Sequence, residues 1–395
     1  MKISLIQPGR NNLKYLKWSY DSIRKNQGNH EVEICVADDA STDGTWDWCV
    51  EMMDKDSNFK ALKWDGPERV GHTILYDRLI NEVATNDICM IYHADMYLCP
   101  GALDAIENEL KEKTIVSLTR IEPPLHPDGP EKILKDFGVE PEEFNEKGLL
   151  EFLDSRVPND DVTEGIFAPW AFWKSDFQEI GGHDPLYAPQ SKEDSDIFNR
   201  FQLNGVKFIQ TWHGCVYHMT CRGSRRNTVD KAKNIYEDSP EWLAQNQRST
   251  RNFIRKWGSM VMHDSLMKPI IPPKYDIGFQ VKGGNSQLLE ILEPWCSTIL
   301  LDDEMQIITS HYLDKEQPNT VIDLKNKIKS TPIDSLENEI IVTIDSTTFN
   351  NNDYNVIQQL PQIIKDSGEI GKFELGNLKI NISKTTEYQN DLISL

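Results

Sequence analysis

The stretch Asp87-Ile88-Cys89-Met90-Ile91-Tyr92-His93-Ala94-Asp95-Met96-Tyr97-Leu98-Cys99-Pro100-Gly101 decides how this chain reads. Residues 88–93 form an apolar run that leads straight to the carboxylate of Asp95, and Pro100-Gly101 stops the segment. Such a run reads as a short strand. A hard-cation ligand at the carboxyl end of a strand lies where an open α/β sheet keeps its ligand crevice.

Outward from it, strand and helix signals alternate. Residues 3–6 read as a buried strand ended by Pro8-Gly9, and 13–26 as a helix with Leu13, Leu16, Tyr20 and Ile23 on one face. A second strand over 32–37 runs into Asp38-Asp39, after which residues 41–43 can cap a helix over about 45–53. Further strands are expected over 59–64 and 114–119, with helices over 74–84 and 103–110. This alternation predicts a mostly parallel sheet with helices on both faces. Residues 121–165 break the rhythm with Pro123, Pro124, Pro127, Pro130, Pro141 and Pro158, and read as an excursion carrying short helices. Order returns at 167–173, followed by a helix over 194–203 and a strand over 206–212. Residues 229–268 look helical and amphipathic. Past Pro272-Pro273 short β-rich runs alternate with polar turns, which places a domain boundary near 270 and gives 270–395 an α+β character.

Length and charge bound the possibilities. A chain of 395 residues favours two domains, and 38% hydrophobic content with 10 Trp, 12 Tyr and 14 Phe suffices for a sizeable core. The net charge of -21 excludes a chain that coats nucleic acid by charge alone. A local basic cluster at Arg222, Arg225 and Arg226 stands out against it. Seven cysteines without a CxxC pair suggest free thiols in a reducing compartment. With neither an h-region nor a membrane-length apolar run, the expectation is a soluble, cytoplasmic protein without a membrane partner.

Asp38-Asp39-Ala40-Ser41-Thr42-Asp43-Gly44-Thr45 sets two acids at a strand terminus before a helix start. A carboxylate there can accept the N–H of a flat heterocycle such as uracil, while backbone N–H groups face an anion; an N-capping turn accounts for it equally well. This segment resembles the Asp-Asp-x-Ser-x-Asp-Gly-Thr signature of family 2 glycosyltransferases with the GT-A fold. Four other segments follow in that family's order: Gln7-Pro8-Gly9-Arg10-Asn11, His93-Ala94-Asp95, Gly181-Gly182-His183-Asp184, and Glu193-Asp194-Ser195-Asp196-Ile197-Phe198-Asn199-Arg200. The resemblance covers about residues 1–260. It implies a GT-A domain over 1–268, with a donor half over about 1–120, an acceptor half over about 165–228 and a helical extension over 229–268.

What the resemblance implies is a metal-dependent inverting transferase that moves a sugar from a nucleotide-diphosphate donor, UDP first among them, to a hydroxyl of a glycan, protein or other acceptor. Mn²⁺ or Mg²⁺ on Asp95 and His218 would neutralise the leaving diphosphate as a Lewis acid; His213 competes with His218. Asp194 is the expected base, with Glu193 beside it; at a helix N-terminus both carboxylates are expected to stay ionised. Arg200 is expected to anchor that helix through an ion pair. Donor contacts are assigned to Pro8, Arg10, Asp38, Asp39, His93, Ala94, Arg222 and Arg226, with Arg69 and Arg78 open, because this chain has Leu75-Tyr76-Asp77-Arg78 where the family often has Ala-Arg-Asn. His93 replaces the family's first Asp, which alters ribose contacts or shifts preference towards Mn²⁺, unless it is an ordinary strand-end histidine. Trp170, Trp173, His183 and Asp184 are the acceptor candidates, since an aromatic face and a carboxylate suit a sugar ring; the tryptophans suit a core equally. Two other readings stay open: a retaining enzyme resembling the polypeptide GalNAc-transferases, and a nucleotide-sugar-binding protein without activity.

Overall fold

The computed structural model describes residues 1–66, 68–220, 226–230, 235–302, 306–330 and 336–395. They divide into two compact units, one of residues 1–245, 263–270 and 394–395, the other of 246–262 and 271–393.

In the first unit the chain runs β1 (Lys2–Gly9), α1 (Leu13–Asn26), β2 (Glu31–Asp38), α2 (Thr45–Lys55), β3 (Phe59–Lys63), α3 (His72–Arg78), β4 (Ile88–Ile91), β5 (Met96–Leu98), α4 (Ala102–Glu109) and β6 (Thr114–Glu122). It continues through β7 (Lys132–Leu134), α5 (Glu146–Ser155), β8 (Val162–Thr163), β9 (Trp170–Trp173), α6 (Lys174–Glu179), α7 (Glu193–Leu203) and β10 (Lys207–His218). The sheet order is β3-β2-β1-β4-β9-β6-β10-β5. Ile3, Leu5 and Ile6 of β1 are all fully buried, as expected of a central strand covered on both faces. β1 pairs in parallel with β2 and β4, β2 with β3, and β6 with β10. β9 runs antiparallel between β4 and β6.

Strand β10 extends well past the 206–212 expected from sequence and ends at His218. Its pairing with β6 shifts between Thr211, which faces Leu118, and Cys215, which faces Thr119. Residues 212–214 form this bulge, and Gly214 fits there because a Cβ would come within 2.6 Å of Leu118 and 2.8 Å of Ala105. On its other side β10 pairs antiparallel with β5, His218 facing Met96. The excursion after β6 contributes β7 to the edge of β6, and β8 to β10.

Past β10, residues 229–268 are not one helical stretch. The strands β11 (Arg226–Asp230) and β12 (Ile235–Asp238) pair with each other, and among the described residues of this stretch only α8 (Pro240–Trp257) is helical. The charged and polar residues of 226–238 hid this, because they leave little apolar alternation to read. The division between the units falls inside α8, at Gln245 and Asn246. None of the described helices is long and apolar enough to cross a membrane.

The second unit holds β13 (Ile277–Lys282), α9 (Ser286–Leu292), β14 (Thr298–Leu301), α10 (Gln306–Glu316), α11 (Leu324–Lys327), β15 (Ile328–Ser330), β16 (Ile340–Asp345), α12 (Asn351–Ser367), β17 (Gly371–Leu375) and β18 (Leu378–Ile382). Its sheet runs β15-β14-β13-β16-β18-β17. The first four strands are parallel, and β17 and β18 close the edge as an antiparallel hairpin. Phe279, Ile299, Val342 and Ile344 build the core with Leu292 and Leu360. Beside it lies a buried charge cluster: Glu293 accepts from Arg255 Nη2 at 2.6 Å and from Tyr312 at 2.8 Å, and pairs with Lys327 at 2.7 Å.

Two stability predictions follow from these contacts. Asp43 ties two helix starts together, its Oδ2 accepting the Leu13 N–H at 3.0 Å and its Oδ1 the Thr45 N–H at 3.1 Å. Asp43→Ala is expected to cost about 1–2 kcal/mol in urea unfolding of the first unit. Glu293→Ala, which takes the carboxylate from buried Lys327 and leaves Arg255 to Glu316 alone, is expected to cost the second unit about 3–5 kcal/mol by the same measurement.

Candidate active site

The register of β10 builds the centre of the site. Since Ile121 faces Tyr217, the next residues, Glu122 and His218, come to lie side by side. Glu122 Oε1 and His218 Nδ1 are 2.8 Å apart, and Nε2 of the same ring is 3.4 Å from Asp95 Oδ1. The Met219 N–H donates to the Asp95 carbonyl at 3.0 Å, fixing the end of β10 against the His93–Asp95 turn. One ligand atom from each of His93, Asp95 and His218 lies within 4.8 Å of the others. Burial pushes the His93 imidazole down to about 4, with Asp95 only partly opposing it, so this ring is neutral at pH 7. Burial also disfavours the imidazolium of His218, but the carboxylates of Asp95 and Glu122 outweigh it and hold its pKa up at about 9.

The end of β2 forms a second wall. Asp39 Oδ1 accepts the Val70 N–H at 2.8 Å and Oδ2 the Gly71 N–H at 3.0 Å, so this buried carboxylate holds the loop before α3. Arg69 Nε lies 3.9 Å from Asp39 Oδ2, and Nη2 donates to Gln190 Oε1 at 3.3 Å. Arg10 is close enough for its charge to act on Arg69. Gly71 (φ 86°, ψ 164°) occupies a region essentially reserved for glycine, and a Cβ there would lie 2.1 Å from the Pro189 carbonyl oxygen. Asp38 Oδ1 accepts from the Ser41 N–H at 3.3 Å, while Pro8 pairs with Ala37 inside the sheet and Ala94 is buried.

Glu193 and Asp194 open α7 on the third side. Glu193 Oε1 is 2.6 Å from His72 Nε2. Burial works against its charge, yet the His72 partner keeps the Glu193 carboxyl below its ordinary range. Asp194 differs from expectation: burial and the adjacent Glu193 charge push it up to about 6, overriding the helix terminus. Burial raises the Tyr76 phenol, and the charges of Asp194, Glu193 and Asp95 raise it further, so the carboxylate pair and the histidine cluster both lie within electrostatic reach of this one side chain. Arg200 is buried and does anchor the helix: Nε donates to Asp196 Oδ2 at 2.8 Å, Nη1 to the Ile180 carbonyl at 2.8 Å and Nη2 to the Gly182 carbonyl at 2.5 Å.

Residues 4–181 match the model of the family described as Glycosyl transferase family 2. That match covers a little under half of the chain. Among solved structures, the chain is similar to a mannosyltransferase, PcManGT, from Pyrobaculum calidifontis in complex with GDP-Man and Mn²⁺, at 16% identity over 56% of this chain and 57% of that one, with a TM-score of 0.40. GalNAc-T7 with UDP, GalNAc and Mn²⁺ is similar at 14% identity over 64% and 48%, TM-score 0.45. S. aureus TarS 1-349 in complex with UDP is similar at 16% identity over 55% and 60%, TM-score 0.40. This chain thus spans 48% to 60% of the length of those structures. No curated protein matches it.

Within the first unit, several expected contacts lie elsewhere. Trp170 is fully buried against Phe172, Phe198 and Phe201. Trp173 faces Ile88, the start of β4, and donates to the Lys111 carbonyl at 3.1 Å, at the end of the sheet opposite His93. Neither presents a face to a sugar at this crevice. The His183 ring is buried, with Nδ1 2.7 Å from Asp77, and stacks on Tyr76, so it supports the site from beneath. Asp184 Oδ1 accepts the Leu186 N–H at 2.9 Å as the cap of a short turn. Arg78 forks onto Glu82 one turn along its own helix, and His213 is exposed beside Asp161 at 2.7 Å, away from the cluster. Arg222 and Arg225 lie outside the described residues, as does the side chain of Arg226.

The sequence reading missed Glu122, His72, Tyr76 and Asp77. It ends β6 at 119, three residues short of Glu122, and nothing in the spacing links His72 to Glu193 across the chain. The close approach at Gly71 makes a clear prediction. Gly71→Ala should cost about 2–4 kcal/mol in chemical unfolding, from backbone strain plus the clash with Pro189.

Proposed function

We propose that the family 2 domain is an inverting glycosyltransferase that uses a nucleotide-diphosphate sugar, with Asp194 as the base. What supports this is the nearness of a half-buried carboxylate of raised proton affinity to a three-residue cluster of metal-ligating side chains at the strand ends, the charges of Asp194 and Asp95 both acting on Tyr76.

Two imidazoles and one carboxylate, brought within 4.8 Å of one another, fit a divalent cation of borderline character, and favour Mn²⁺ over the all-oxygen preference of Mg²⁺. His93, Asp95 and His218 would hold it, and when bound it supplies Lewis-acid neutralisation of a diphosphate leaving group. Arg69, with Arg10 beside it, adds positive charge on the Asp39 side, where the nucleotide belongs. Asp39 itself shapes that wall, each of its oxygens accepting an amide of the Val70-Gly71 loop, and UDP is the nucleotide proposed here.

The acceptor hydroxyl attacks the anomeric carbon as its proton passes to the Asp194 carboxylate. The new bond joins acceptor oxygen to anomeric carbon, and the bond that breaks leaves its electron pair on the diphosphate. Glu193, held by His72, stays charged beside Asp194 and raises the base's affinity for the incoming proton. Only ionised Asp194 can act, so the rate should fall as pH drops through about 6, the value to which burial and Glu193 raise it.

Glu193→Gln removes one of those two causes and should move the acid limb of the pH–rate profile to lower pH. Asp194→Asn should lower transfer by about 10²–10⁴-fold while Mn²⁺-dependent thermal stabilisation by UDP persists. An NMR assignment of the product anomer checks inversion; a retained configuration would overturn the single displacement. A wild-type protein that shows no Mn²⁺-dependent stabilisation by any nucleotide sugar would sink the enzyme reading altogether.

A further inference from the structure

Behind the histidine cluster lies a buried ionic assembly that has no part in the chemistry above. Glu122 is 1% exposed and receives three partners. His218 Nδ1 is 2.8 Å from Oε1, Arg120 Nη1 donates to Oε1 at 2.9 Å, and Lys132 Nζ lies 3.5 Å from Oε2. Arg120 is in turn fixed from both sides. Its guanidinium lies 3.8 Å from the centre of the Phe167 ring, and Nη2 reaches Glu131 Oε1 at 3.4 Å. Glu131 and Lys132 belong to the proline-rich excursion, which returns to pair β7 with the end of β6, Lys132 facing Arg120 and Leu134 facing Glu122.

We propose that Glu122 is a positioning residue for His218, and that β7, through Lys132 on Glu122 and Glu131 on Arg120, helps to hold Glu122 in place. This rests on the reading of His218 as a cation ligand. An imidazole can rotate about its Cβ–Cγ bond and can carry its proton on either nitrogen. Accepting from Nδ1–H removes both freedoms at once, leaving Nε2 directed towards Asp95 and His93. A carboxylate behind a ligating histidine also makes the ring a better donor, and loss of such a partner typically weakens metal affinity 10–100-fold. Arg120 and Lys132 have the complementary task of keeping Glu122 charged and still, since a lone buried carboxylate would take up a proton or turn away. The proline-rich segment therefore has a site-directed purpose, although none of its own residues enters the crevice cluster.

The test is Mn²⁺ affinity of the full chain, read without substrate from the electron paramagnetic resonance of free Mn²⁺, on wild type, Glu122→Gln, Glu122→Leu and His218→Ala. Glu122→Gln keeps an acceptor for Nδ1–H but loses the charge, and Glu122→Leu loses both. The expected order of affinity is wild type, then Glu122→Gln, then Glu122→Leu about 10–100-fold below wild type, with His218→Ala at or beneath it. Thermal unfolding run beside the titration separates position from stability. A purely structural Glu122 would lower the melting temperature yet leave Mn²⁺ affinity of the folded protein unchanged, and that result overturns the proposal. Should Glu122→Leu fail to fold, the Glu122→Gln comparison decides alone, and equal affinity to wild type refutes it. If His218→Ala binds Mn²⁺ as tightly as wild type, the ligand assignment itself is wrong and the positioning role falls with it. Loss in His218→Ala without loss in either Glu122 variant removes only the positioning role.

Discussion

Because β10 hydrogen-bonds to β6 on one side and to β5 on the other, the last residue of that strand has no freedom to choose its neighbours. The bulge at residues 212–214 advances β10 against β6, so that His218 arrives level with Glu122 instead of further along. Pairing with β5 then brings Met96, and Asp95 just before it, to the opposite flank of the same ring. Backbone hydrogen bonds thus set the cluster of His93, Asp95 and His218. Preorganisation of this kind leaves little conformational entropy to lose on binding a cation.

A second constraint joins the two halves of the domain. The loop before α3 is held from one side by Asp39, through the amides of Val70 and Gly71, and from the other by Pro189, whose carbonyl accepts from Thr73 Oγ1 at 3.2 Å. The same loop leads into His72, which fixes Glu193. One carboxylate at the end of β2 therefore governs, through a short chain of contacts, how the carboxylate pair at the start of α7 stands. Further back, Arg200 draws the Gly181-Gly182 turn onto α7, and Gly182 permits it because a Cβ would lie 2.2 Å from Asp77.

The adjacent carboxylates of Glu193 and Asp194 show how environment separates two groups of similar chemistry. Both pay for burial, but Glu193 has an imidazole at 2.6 Å, whereas Asp194 has a like charge as its neighbour. One is held as an anion and the other is raised to about 6, a division that suits the roles proposed for them. Helix-terminus reasoning treats both alike, since it counts only the dipole and not the burial.

Strand and helix alternation over residues 1–120 was legible in the sequence because apolar runs between turn residues need no distant partner to be recognised. The short motifs around Asp39, Asp95 and Asp194 were legible for the same reason, each being a local pattern of a few residues. Trp170 and Trp173 could not be sorted by such means: an indole on a strand reads identically whether it meets Phe198 in the core or a ligand at the surface. Nor could Glu122 be found, because its partners His218, Arg120 and Lys132 come from three strands whose register no local pattern specifies. The sequence by itself determined which elements form and which acids end the strands. Only the tertiary structure decided which of those side chains face one another, since hydrogen-bonded register and burial are properties of pairs of distant segments.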